Sequence, residues 1–78
     1  MASRWQNERR FGTWLELANG VRRYERTVAG AHRGHAKYYK EVDANENTIR
    51  FWQEIFDDRG NVIERHEKLP HDQGHQKV

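Results

Sequence analysis

Seventy-eight residues, 33 % of them charged and 35 % apolar, with a net charge of +2, make one small domain and leave no room for a second. The chain has no cysteine, so neither a disulfide nor a thiolate metal site supports the fold. Its longest apolar run is two residues, so neither a membrane-spanning helix nor a signal peptide is expected.

Leu, Ile, Val and Phe supply 14 of the 78 residues, a low share for a folded chain, but nine large aromatic rings can make up a compact core. The net charge conceals an asymmetry. Residues 1–40 carry nine Lys or Arg against three acids (+6), and residues 41–78 carry five against nine (−4). Arg outnumbers Lys ten to four, which suits planar partners such as phosphate or carboxylate. The basic half either pairs with the acidic half inside the fold or contacts an external anion.

In chain order, Ser3 followed by Gln6 has the spacing of a capping box, so a short helix is expected from Ser3 to Phe11. A rival reading extends it to Ala18 through Phe11, Trp14 and Leu15, with Gly20 as its C-cap; Gly12 and Thr13 weigh against that. Five runs follow, 13–18, 21–29, 35–43, 48–56 and 62–69, each of strand length and separated by turn residues. Asn19-Gly20 predicts a type I′ turn, with both residues at positive φ. Asp57-Asp58-Arg59-Gly60-Asn61 predicts a three-residue hairpin loop whose glycine is left-handed. Pro70 ends the last run. The expected fold is therefore mostly β (or α+β): a curled antiparallel meander of four to five strands with a short N-terminal helix. Residues 1–70 form the domain and 71–78 a flexible tail. No repeat is evident.

The loops set a register. An Ala44–Asn47 loop pairs Val42 with Ile49, Glu41 with Arg50, Tyr39 with Trp52, Lys37 with Glu54 and His35 with Phe56. An Asp58–Gly60 loop pairs Phe56 with Val62, Ile55 with Ile63, Glu54 with Glu64, Trp52 with His66 and Arg50 with Lys68. One face then holds Ala36, Tyr38, Val42, Ile49, Phe51, Ile55, Ile63 and Leu69, which with Phe11 and Leu15 supply the expected core. The other face holds a Tyr39–Trp52–His66 row beside a Lys37–Glu54–Glu64 row.

This polar-aromatic face carries the functional expectations. The leading one is a cytoplasmic module that binds RNA or single-stranded DNA, with Trp52, Tyr39 and Phe56 stacking on bases. Lys37, Arg50, Lys68, Arg22, Arg23, Arg26 and His35 would hold phosphate. Glu41, Glu54, Asp57, Glu64 and Glu67 nearby oppose it. The alternative is a protein partner or a homodimer seated on Trp52, since Trp, Tyr and Arg favour interfaces. A third expectation is metal-independent RNA cleavage, with Glu54 or Glu64 as base, His66 as acid and Arg50 stabilising the phosphorane. The layout of a short helix and a curled sheet bearing His, Glu and Arg on one face is similar to small ribonuclease modules of bacterial toxins, a resemblance of layout that implies the third activity. Against all three stands an ordinary ladder of cross-strand ion pairs with Tyr39 packed on Trp52. No cofactor is expected. His71, Asp72 and His75 give no credible metal site, and His32 and His35 occupy a polar loop near Arg33.

Overall fold

The computed structural model describes residues 3–30, 34–70 and 74–77. Helix α1 spans Arg4–Phe11, and its start is the expected capping box. Gln6 N–H donates to Ser3 Oγ at 3.2 Å, and Ser3 N–H donates to Gln6 Oε1 at 2.9 Å. Gly12 ends the helix in the left-handed region at φ 87°, a conformation that costs a residue with a Cβ about 1 kcal/mol or more. This stop excludes the longer helix, and the chain passes directly into a strand.

Six strands follow: β1 (Thr13–Glu16), β2 (Arg22–Ala29), β3 (His35–Val42), β4 (Thr48–Phe56), β5 (Val62–Leu69) and β6 (His75–Lys77). They form one antiparallel sheet in which spatial order equals chain order. The fold is the expected meander with one strand more. Residues 75–77, expected to belong to a flexible tail, pair with β5 instead, His66 opposite His75. His71, Asp72, His32 and Arg33 lie outside the described residues. Asn19 and Gly20 both take positive φ, 62° and 75°, as expected, and Val21 N–H donates to Ala18 O across them at 3.2 Å.

The β3–β4 and β4–β5 loops are copies of one another. In each, an Asp carboxylate accepts backbone N–H groups two and four residues on, at 2.9 Å: Asn45 and Asn47 for Asp43, Arg59 and Asn61 for Asp57. The fourth position of each loop is left-handed, Glu46 in one and Gly60 in the other. Two residues past each loop the ladder bulges, at Ile49 and at Ile63.

Those bulges decide the faces. In the first hairpin the loop is one residue shorter than expected and the bulge adds one back. His35–Phe56, Lys37–Glu54, Tyr39–Trp52 and Glu41–Arg50 therefore pair as expected, while Val42 meets Thr48 rather than Ile49. In the second hairpin the loop is as expected and the bulge is extra. Ile55 then meets Glu64, Glu54 meets Arg65, Gln53 meets His66 and Trp52 meets Glu67. Glu64 and His66 thus exchange faces relative to the expected register, because a one-residue shift inverts a strand. A third bulge, between the Trp52–Glu67 and Phe51–Leu69 pairs, accommodates Lys68.

α1 packs against β1 and β2. Phe11 sits 5.7 Å from the Tyr24 ring and 6.4 Å from Phe51, and with Tyr24 and Val42 it forms the buried apolar cluster, which Tyr38 borders. Much of the remaining interior is polar. Lys40 Nζ donates to Asn7 Oδ1, while Asn7 Nδ2 and Tyr24 OH both donate to Glu46 Oε2, all at 2.9 Å. Buried Arg22 bonds Glu8 at 2.6 Å and also pairs with Glu16. Leu15, Ile49, Ile63 and Leu69, expected in the core, are instead exposed. Ile49 and Ile63 are the bulge residues, and Leu15 belongs to a strand that is exposed throughout.

Candidate nucleic-acid interface

The two faces of the sheet differ in how their charges are paired. The face away from α1 carries Arg23, His35, Lys37, Tyr39, Glu41, Arg50, Trp52, Glu54, Phe56, Arg65 and Glu67, as the register places them. Its guanidinium groups are neutralised in place. Arg23 bonds Glu41 at 2.9 Å, Arg50 grips Glu67 through two nitrogens at 2.6 and 3.2 Å, and Arg65 bonds Glu54 at 2.7 Å. Glu67 raises the Arg50 pKa through that hydrogen bond. Tyr39 stacks on Trp52 at 4.9 Å, and Arg50 lies 4.0 Å above the indole. The rings are packed away: Trp52 is 6 % exposed and Tyr39 8 %. Burial, reinforced by the Glu54 charge and hydrogen bond, pushes the Tyr39 phenol up to about 12. His35 stacks on Phe56 at 4.5 Å, with Lys37 6.0 Å from the same ring.

The residues expected to do acid–base chemistry are divided between the two faces. Arg50 and Glu54 lie on this face within ion pairs, and Glu64 and His66 lie on the other. The facing-glutamate pair does not form, because Glu54 opposes Arg65 and Glu64 opposes Ile55. Arg22 is also removed from the expected phosphate contacts, being buried beneath the helix with Glu8 and Glu16.

The face that bears α1 is different. The helix packs mainly over β1 and β2, and beside it opens a cavity of about 430 Å³, within the size range of ligand clefts. Arg10 from α1, Arg26 and Val28 from β2, Tyr38 from β3, Phe51 from β4 and Lys68 from β5 line it together with Phe11. No carboxylate is in that lining. Among the described residues, Arg10, Arg26 and Lys68 form no ion pair. Lys68 Nζ rests 5.5 Å from the Tyr38 ring and 5.4 Å from Phe51, and the Tyr38 hydroxyl accepts from Gln53 Nε2 at 3.0 Å. The unbalanced charge registers on a neighbour. The Lys40 pKa is lowered, first by burial and then by the Arg10 charge, with Glu46 opposing.

Two cross-strand rows floor this face. Arg26, Tyr38, Gln53 and His66 are successive partners from β2 to β5; Val28, Ala36, Ile55 and Glu64 form the adjacent row. On the outer side of the helix, Trp5 is 62 % exposed and Arg9 lies 4.9 Å from its ring. Arg10 lines both the cavity and the shallow depression beside Trp5, so a track of alternating rings and cations crosses the helix into the cavity. Arg26 and Lys68 were singled out in the sequence, and both line the cavity. Arg10, Tyr38, Phe51 and Trp5 were not, since helical polarity concealed the first and last and the other two read as core. Two signals were available: the Trp5-Arg9-Arg10 spacing on one short helix, and the absence of an acid from positions 9–15.

The described residues contain no group of three or more side chains able to hold a metal ion, and no helix long and apolar enough to cross a membrane. The chain matches no protein-family model, no curated protein and no solved structure.

Proposed function

We propose that the protein is a binding module for single-stranded nucleic acid, RNA in the first instance, and that it binds on the helix-bearing face. One observation carries this reading. Arg10, Arg26 and Lys68 converge on a ring-lined cavity with no carboxylate in its lining, whereas Arg23, Arg50 and Arg65 on the opposite face each hold a glutamate. Cations without a carboxylate partner, set around aromatic rings, suit a phosphate chain with stacking bases. Phosphate contacts come from the three cations, with Tyr38 and Trp5 as stacking surfaces. A protein partner centred on Trp52 has little to touch, given how deeply that ring is packed.

Trp5 is the natural reporter, because it is the most exposed of the three tryptophans. Titrating a short mixed-sequence RNA at low salt is expected to quench its fluorescence. Affinity should fall with salt at a log–log slope of about −2 for three phosphate contacts on a single strand. Arg26→Ala and Lys68→Ala should each weaken binding several-fold and flatten the slope by about 0.7, while Arg65→Gln on the far face leaves both unchanged. Absence of binding at low salt, or equal loss from all three substitutions, overturns the reading.

A further inference from the structure

The geometry points to a site for the end of a strand: the cavity beside α1 takes a terminal phosphate monoester, the dianion, in preference to a phosphodiester from the middle of a chain. The inference rests on the reading of Arg10, Arg26 and Lys68 as phosphate contacts, and it names which phosphate they hold.

The three cations stand around one ring floor and not along a line. Tyr38 and Phe51, from the neighbouring strands β3 and β4, make that floor. Arg26 is the ladder partner of Tyr38 on β2, and Arg10 borders the cavity from the helix. Lys68 starts from β5, three strands away from β2, about 14 Å between backbones. Its ammonium lies 5.5 Å from the Tyr38 ring and 5.4 Å from the Phe51 ring, so the side chain has leaned back across the sheet toward Arg26. The bulge that sets Lys68 between the Trp52–Glu67 and Phe51–Leu69 pairs gives it that position. No carboxylate lines the cavity. Glu46, the acid felt at Lys40 beside Arg10, is committed to Asn7 and Tyr24.

This arrangement matches a monoester better than a diester on charge, on acceptors and on exits. A phosphodiester brings one negative charge and two free oxygens, and the chain must leave it in two directions. A monoester carries between about −1.5 and −2 at pH 7 and three strong acceptor oxygens. That is one oxygen for each of Arg10, Arg26 and Lys68, in charge-assisted bonds that are the stronger kind, and the chain leaves in one direction only. A cavity of about 430 Å³ lies near the lower end of the range for ligand clefts, which suits one terminal nucleotide and not a run of them. The exit is by Arg10, which also borders the depression beside Trp5 and Arg9. The terminal base then lies on Tyr38 and Phe51, and the next ones pass over the helix toward Trp5. A strand that merely coated the surface would meet cations spaced along its path, one to a phosphate.

The test titrates the unaltered protein at low salt, by calorimetry, with four versions of one short mixed-sequence RNA: hydroxyl at both ends, phosphate at the 5′ end, phosphate at the 3′ end, and the tighter of these two with its phosphate methylated. One phosphorylated strand is expected to bind about tenfold more tightly than the hydroxyl-ended strand, the gain of one further charge-assisted contact, and the comparison shows which end enters. Methylation removes a charge and a free oxygen while keeping the length, and should cancel most of that gain. Lys68→Ala should weaken the phosphorylated strand more than the hydroxyl-ended one. Equal affinity for the hydroxyl-ended and both phosphorylated strands, or a methyl ester as tight as the monoester, overturns the end site and leaves the strand reading standing. Binding of a phosphorylated strand with none of the hydroxyl-ended strand upholds the end site and confines the strand reading to ends. If no version binds, both fall. The comparison of the four RNAs needs no substitution, so it holds even where the variant fails to fold.

Discussion

Glu46 shows how much a single residue does here. It occupies the left-handed position at φ 64° that its sister loop gives to Gly60, and that conformation costs a non-glycine residue about 1 kcal/mol or more. The compensation is its carboxylate, which reaches beneath the helix to accept from both Asn7 and Tyr24 at 2.9 Å. Both donors are wholly buried, so each would cost about 1–3 kcal/mol if left unsatisfied. Glu46→Gly relieves the backbone and orphans the donors, and a net loss of about 2 kcal/mol in urea unfolding is expected; a neutral or stabilising result would mean the network is slack. Tyrosines govern the alkaline limit in the same region of chemistry. Burial raises the Tyr24 phenol, with Glu46 assisting, and takes Tyr39 to about 12. A raised folded pKa means the neutral form is favoured in the native state. This stability is complete below the unfolded value near 10 and is lost as pH climbs from about 10 to about 12. Tyr39→Phe removes one such group, so its unfolding curve above pH ~10 should be shallower than that of the parent protein, as followed by circular dichroism.

At the scale of elements, the hairpins carry the main lesson about reading this chain. The capping box, the Asn19-Gly20 turn, the Asp57 loop and the pairing of β3 with β4 all follow from local chemistry, and all are present. What local chemistry does not announce is a bulge. Ile49 and Ile63 look like alternating strand residues and so read as core, yet each is an extra residue in its ladder. The first bulge cancelled a one-residue error in loop length, and the second had nothing to cancel, which moved Glu64 and His66 to the helix side. The repeat that would have revealed this, Asp-x-x-x-Asn followed by a β-branched residue and Ile, occurs at 43–49 and 57–63, but it is short and its variable positions are unlike. The helix was similarly legible in extent and not in use: its capping residues define it, whereas the cavity beside Arg10 exists only once β5 lies alongside. Because Ile63 is surplus to the pairing, its deletion is expected to preserve the Ile55–Glu64 and Gln53–His66 partners and cost little stability, since the side chain is 42 % exposed. Cross-strand nuclear Overhauser contacts between Gln53 and His66 in the deletion variant would confirm this, and new contacts between Glu54 and Glu64 would refute it.

For the whole molecule, the consequential feature is that each strand pairs only with its immediate neighbours in the chain. No contact between strands has to wait for a distant segment to return, so the loops to be closed are short and the entropy lost before each contact is small. Assembly can begin in the central hairpin and extend outward one strand at a time. The protein should therefore fold quickly for a β structure, on the millisecond scale or faster, as stopped-flow fluorescence from Trp52 between β3 and β5 can establish. The same connectivity sets the order of opening. β3 and β4 form the middle of the sheet, whereas β1 and β6, of four and three residues, have one neighbour each. Amide exchange should accordingly be slowest along β4 and fastest in β6. Equal protection across the sheet would mean that the molecule opens as one cooperative unit. A graded pattern would mean that time resolves it into layers, with the cation-bearing strands β2 and β5 standing one step in from each margin, ordered while the edges still breathe.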